Sequence, residues 1–169
     1  MDSIKSLDEK LLETSDTATT QKEIADLIKE GANVHCTDSY GLTPLMRAAL
    51  FNKSAKVIKA LIDAGSDVYE REPQYKSTAL QLAANHNPSA AVIEALVAGG
   101  SDVNDVNYLG ETALIMAVNS GNDTKVISAL IKSGSDINAR DYHDRSALDY
   151  ASMARRTYVA KILKEAGAR

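Results

Sequence analysis

The sequence predicts an all-α array of stacked helix-turn-helix units with projecting hairpin fingers, and three observations predict it. A glycine motif returns at a nearly fixed period. It reads Glu30-Gly31-Ala32-Asn33-Val34, Ala64-Gly65-Ser66-Asp67-Val68, Gly99-Gly100-Ser101-Asp102-Val103, Ser133-Gly134-Ser135-Asp136-Ile137 and Ala166-Gly167-Ala168. A second motif keeps the same step: Thr43-Pro44-Leu45, Thr78-Ala79-Leu80, Thr112-Ala113-Leu114 and Ser146-Ala147-Leu148. Two independent marks sharing one period are the signature of a repeat architecture. The third observation is composition: of 169 residues 44% are hydrophobic, yet only 5% are aromatic and none is Trp. A core of small and aliphatic side chains favours helices that approach closely.

The elements follow in order. In residues 1–38, Ile4, Leu7, Leu11 and Leu12 form one face of a first amphipathic helix. Thr20-Gln21-Lys22-Glu23 is a capping box opening a second, with Ile24, Leu27 and Ile28 expected to be buried. Thr43, Thr78, Thr112 and Ser146 then act as N-caps of short helices. The second helix of each unit carries Val57, Ile58, Leu61 and Ile62, then Val92, Ile93, Leu96 and Val97, then Val126, Ile127, Leu130 and Ile131. A glycine closes it, as a left-handed C′ residue does. Between that glycine and the next Thr or Ser lie about a dozen residues rich in Asp, Asn, Tyr and Gly, expected to form an extended hairpin with a turn at its tip.

These motifs resemble the ankyrin repeat, whose pattern is a turn, the helix-opening T-P-L-H, a paired A-A, and G-A-D-V-N. The resemblance covers essentially the whole chain and implies an ankyrin-repeat solenoid. It also implies a concave surface that binds other proteins. The sequence departs from the pattern at the His of T-P-L-H, whose place is taken by Met46, Gln81, Ile115 and Asp149, so that residue's hydrogen bonds do not transfer. Three units are one residue longer between the helix-opening Thr and the closing Gly than the last unit, which is similar to repeats of bacterial ankyrin proteins. The expected division is a cap (1–38), internal repeats 39–72, 73–107 and 108–141, and a C-terminal cap (142–169). Glu23 and Lys164 stand where internal units carry Val57 and Ile62. A charge on each outermost face suits an array whose ends meet water, and a monomer is expected.

Charge is uneven. The net charge is −4, but residues 1–38 hold 4 Lys/Arg against 9 Asp/Glu, and residues 140–169 hold 7 against 4. No domain-wide basic excess or basic stripe is present, so nucleic acid is not an expected partner. No run of 18 apolar residues occurs, so no membrane span is expected. The N-terminus lacks a basic start followed by an apolar stretch, and the chain has one Cys, so a cytoplasmic location is expected.

The chemistry-bearing residues do not assemble. Asp102, Asn104 and Asp105 suggest a calcium loop, but the twelfth position is Ala113 where a Glu is needed. His35, His86 and His143 fall in three units without metal-ligand spacing. Gly121 to Lys125 lacks the spacing of a phosphate loop. Cys36 matches a small packed site, and His35 beside it points the other way along an extended segment. No catalytic residue, metal or cofactor is expected, and the chain is not expected to be an enzyme.

The family's contacts come from finger tips and the exposed face of the first helix. Carried onto this sequence, the candidate partner-binding residues are Tyr40, Leu42, Arg47 and Phe51 in the first internal repeat. Arg71 falls at the end of the first internal repeat, Gln74, Tyr75, Lys76 and His86 follow in the second, and Tyr108 and Leu109 in the third. Tyr142, His143, Arg145 and Arg155 complete the set. Tyr40, Tyr75 and Phe51 are expected to be apolar anchors, and Arg47, Arg71 and Lys76 to face an acidic patch on the partner. The second finger is one residue longer than the others, and a partner-contacting specialisation and a tolerated insertion are both open. The expected function is a non-catalytic protein-interaction module. The alternatives are an inhibitor or self-protection protein that blocks a hydrolase, or a secreted bacterial effector acting on host proteins.

Overall fold

Each repeated Thr or Ser opens a helix. The hydroxyl of Thr43 accepts from the Met46 N–H at 3.3 Å, and Thr112 and Ser146 do the same for Ile115 and Asp149. An orphan amide is satisfied in each case, which sets where the helix starts. The computed structural model describes residues 5–169, so Ile4 of the expected first helix lies outside the described residues.

Ten helices result among the described residues. They are α1 (Leu7–Thr17) and α2 (Gln21–Lys29), α3 (Pro44–Phe51) and α4 (Ala55–Asp63), α5 (Ala79–His86) and α6 (Ala90–Ala98), α7 (Ala113–Asn119) and α8 (Thr124–Lys132), and α9 (Ala147–Met153) and α10 (Thr157–Glu165). The odd-numbered helices stack into one layer, and α2, α4, α6 and α8 stack into the other. The last helix, α10, packs chiefly on α9, leaving a cleft of about 300 Å³ lined by Tyr158, Ile162 and α8.

The core lies between the two layers. Leu61, Leu96 and Leu130 are fully buried at one repeated position, with Leu163 as their counterpart in the last unit. In the first unit Ile24 is buried and Leu27, the counterpart of Leu61, is only half-buried because no earlier unit covers it, while Ile28 is half-buried as Ile62, Val97 and Ile131 are in the internal units. Glu23 is exposed and has a local task as well: its carboxylate accepts from the N–H groups of Thr19 and Thr20, the reciprocal half of the capping box.

The glycine motif closes the second helices as its spacing predicts. Gly65 sits at φ +99°, and its N–H and that of Ser66 donate back to Ile62 and Leu61 at 2.9 and 3.0 Å. This is a Schellman closure, which a Cβ would strain.

A buried polar line runs through the inter-helix loops. The Asn52 amide donates to the carbonyls of Ser15 and Ala18, Asn87 to those of Ala49 and Asn52, and Asn122 to those of Ala84 and Asn87. In the last unit Arg156 takes over, donating to Val118 and Asn122. Each rung satisfies carbonyls at or just beyond the C-terminus of the preceding unit's first helix. The Asn spacing of 35 is visible in the sequence, but its role as an inter-repeat tie needed the fold.

Candidate binding surface

The fingers are turns rather than strands. Two isolated antiparallel bridges, Val106 with Thr112 and Arg140 with Ser146, are the extent of β pairing among the described residues. Each finger is instead wound around one acceptor side chain. Asp38 accepts from the N–H groups of Tyr40 and Leu42, Asn107 from Leu109 and Glu111, and Asp141 from His143 and Arg145. In the second finger the acceptor is Glu72, which takes three N–H groups, those of Gln74, Tyr75 and Ser77. The finger with an additional residue thus has an acceptor with an additional methylene. Position 76 holds the left-handed turn geometry of its glycine counterparts although it is Lys, with φ 57°.

Neighbouring tips are joined by backbone. Tyr108 N–H donates to the Tyr75 carbonyl at 2.8 Å, and Tyr142 N–H to the Leu109 carbonyl at 3.0 Å. The equivalent donor in the second finger would be residue 73, which is Pro73 and has no N–H. No hydrogen bond joins the first and second tips among the described residues. The Pro73 ring instead fills the space beside Gly41, where a Cβ would stand 2.5 Å from Pro73 Cγ.

Behind the fingers lies a groove of about 660 Å³ bounded by α3, α5 and α7. Its walls include Tyr40, Leu42, Gln74, Tyr75, His86 and Leu109 from the sequence-derived set, with Leu50, Leu82 and Met116 adding apolar area. Tyr40 at 79% and Phe51 at 58% are largely exposed, and Tyr75 is packed at 6.0 Å between ring centroids against Tyr108. Phe51 lies outside the groove, beside a shallow hollow next to Asp16 and Lys53. Tyr142 and His143 are exposed on the fourth finger, away from the groove.

The arginines are placed differently from the sequence expectation. Arg47 pairs with Asp16 and with Asp38, the latter at 2.7 Å, so its charge is met inside the chain. Arg71 grips both oxygens of Asp105 at 2.5 and 2.6 Å and donates to the carbonyls of Lys76 and Val106. One nitrogen, Nη2, meets both carboxylate oxygens while Nη1 takes the two carbonyls, so the guanidinium bridges the second and third fingers with charge-assisted hydrogen bonds. Both arginines therefore tie units together, and neither offers the unpaired charge expected for an acidic partner patch. Arg145 lies over the Tyr150 ring at 5.8 Å. Arg155 follows α9 in the turn before α10, at φ 54°, and is not on the helix face to which spacing assigned it. Lys76 remains exposed without an ion pair among the described residues.

The groove floor is acidic. Glu111 is 9% exposed, and one of its oxygens accepts from the Asn107 amide at 2.9 Å. No cation pairs with it among the described residues. Asp141 nearby accepts the Tyr150 hydroxyl at 2.6 Å. Burial, that bond and the charges of Asp141 and Glu111 push the Tyr150 phenol above its usual range, with Arg145 acting in the opposite sense. Finger spacing places Glu111 at a tip, but the sequence does not show whether its charge is paired.

A scan against protein-family models matches "Ankyrin repeats (3 copies)" over residues 17–107 and 86–169. The chain belongs to the ankyrin-repeat family. Ankyrin repeats are generally non-catalytic and serve protein–protein interaction. In this ankyrin-repeat chain the T-P-L-H substitutes have diverged in role. Met46 and Ile115 are buried apolar residues, whereas the Gln81 amide reaches into the next finger and donates to the carbonyls of Asp105 and Glu111 at 2.9 and 3.1 Å. Asp149 caps its own helix through Ser146. Cys36 is half-buried, and burial and the Asp8 charge push its thiol up to about 11, so it stays protonated at neutral pH. No group of three metal-ligating side chains occurs among the described residues, and none of their helices is long and apolar enough to cross a membrane. A comparison with curated proteins finds no match.

Proposed function

We propose that this chain is a non-catalytic module that holds a partner protein in the groove between its fingers and first helices. The observation that carries the proposal is the groove itself, in which Leu42, Leu50, Leu82, Leu109 and Met116 converge beside Tyr40 and Tyr75. Its volume is within the range that encloses a few side chains of a ligand. Its walls are tied from unit to unit by the Asn line and the Arg47 and Arg71 pairs, so docking orders little of the array. A surface held in its bound form spends less of the interaction energy on ordering. Tyr75 and Tyr40 are the anchors, since Tyr supplies contact area with few rotatable bonds.

The test is to isolate the partner with the intact array and titrate it calorimetrically against variants. Tyr75→Ala should weaken binding by about 1–3 kcal/mol with an unchanged melting temperature. Lys59→Ala, on the outer helix layer, should bind as the wild type does. If the outer-layer variant loses affinity and Tyr75→Ala does not, the partner uses the other face.

A further inference from the structure

The groove has an electrostatic sign. Sixteen residues line it; two of them are glutamates, Glu72 and Glu111, and none is Lys or Arg. The chain as a whole holds 19 Lys and Arg, so the absence is local. Arg47 and Arg71 are spoken for, by Asp16 and Asp38 and by Asp105, and Arg145, on the fourth finger and outside the lining, lies over the Tyr150 ring.

The two glutamates are not equivalent. Both oxygens of Glu72 accept backbone N–H groups of its own finger, three in all. That carboxylate is saturated and contributes field rather than a contact. Glu111 has one oxygen on the Asn107 amide, and the other accepts no hydrogen bond from the chain among the described residues. The buried side-chain atoms without a partner among the described residues are the Ser66 and Ser101 hydroxyls, so the free Glu111 oxygen opens to the groove, where an incoming cation would replace water with a charge-assisted hydrogen bond. Leu82, Leu109 and Met116 line the same groove with apolar area that, once a partner covers it, would shield a charge pair at Glu111 from water and strengthen it.

From this arrangement we infer that the groove takes a segment of the partner protein presenting a lysine or arginine flanked by aliphatic side chains, with the cation on Glu111 and the flanking residues against Leu82 and Leu109. The inference rests on the groove being the binding surface. It reverses the charge expected from the sequence, where Arg47, Arg71 and Lys76 suggested an acidic partner. One free oxygen favours a single donor contact, which either cation can make.

The test uses a phage-displayed library of random linear dodecamers, panned against the whole chain. The recovered peptides should share a Lys or Arg between aliphatic residues. A synthetic peptide of that consensus should bind about tenfold or more weakly to Glu111→Gln, the loss expected for one charge-assisted hydrogen bond. Replacing the peptide's basic residue by norleucine should cost a similar factor, and the two losses should not add. The norleucine peptide leaves the protein untouched, so this arm stands even if Glu111→Gln folds poorly. Peptides that are weakened by Leu82→Ser and Leu109→Ser, but indifferent to both Glu111→Gln and norleucine, overturn the inference and leave the groove reading intact. Peptides that ignore Leu82→Ser and Leu109→Ser, or recovery of no peptide, overturn both. An acidic consensus overturns the inference alone.

Discussion

The side chain of Asn87 donates to the backbone carbonyl of Asn52 at 2.7 Å, across the boundary between two units. The same amide donates to Ala49, and its oxygen accepts from Ser89 N–H, so a fully buried polar group is satisfied on all sides. Replacing Asn87 by Ala strands two carbonyls near the end of α3. The expected loss is about 2–4 kcal/mol in urea unfolding. Asn122→Ala, at a less buried rung, should cost less. Equal losses at both positions would mean that burial does not set the cost.

Core packing makes a second prediction. Leu96 is fully buried between stacked helices, so Leu96→Ala should cost about 2–5 kcal/mol. Lys164 is exposed on the last helix, so Lys164→Ile should be nearly neutral in stability and raise self-association. An unchanged melting temperature for Leu96→Ala contradicts the repeat register.

A third prediction concerns Gly41 and Pro73. A Cβ at position 41 meets Pro73 Cγ at 2.5 Å and Cδ at 2.8 Å, and the backbone there is at φ +75°. Gly41→Ala should therefore destabilise the array by about 1–3 kcal/mol from backbone strain alone, with the ring clash in addition. Pro73→Ala removes the clashing atoms and should recover part of the loss. The double-mutant cycle reads this coupling directly. Strict additivity would show that the ring simply moves aside.

The fourth prediction is a pH dependence. Asp38 feels burial, which alone would raise its pKa. Hydrogen bonds from Leu42 N–H, Arg47 and Tyr40 N–H outweigh it, and the carboxyl is held below its usual value of 3.8. A depressed folded value means stability that is complete above the unfolded pKa and lost as pH falls through the lower folded one. Thermal melts should thus be flat at mildly acidic pH and drop below about pH 4. In Asp38→Asn that drop should be shallower, and a slope identical to wild type would assign the acid loss to other carboxylates.

Repeats are legible because they are periodic. Gly65, Thr78 and Leu96 each have counterparts at a nearly constant offset, and periodicity encodes which side chains meet a neighbour. The tyrosine tips and the groove-lining Leu42 and Leu109 were legible for the same reason. The partners of Arg47 were not: Asp16 is 31 residues away, and no pattern in the sequence pairs them. The free oxygen of Glu111 was equally hidden, since spacing reports which face a residue takes and not whether its charge is met. The missing N–H of Pro73 was readable as a residue but acquired meaning only once the neighbouring tips proved to be linked by backbone.

That missing link lies at one wall of the groove. Fingers two, three and four are latched in series through Tyr75, Tyr108, Leu109 and Tyr142, and the first finger rests on Pro73 without a latch. The helix layers remain stacked beneath the seam. The groove accordingly has one jaw fixed to a continuous plate and one jaw, bearing Tyr40, held by van der Waals contact alone at its tip. Widening the opening on that side would break no hydrogen bond between tips, whereas widening it between any later pair of fingers would break one.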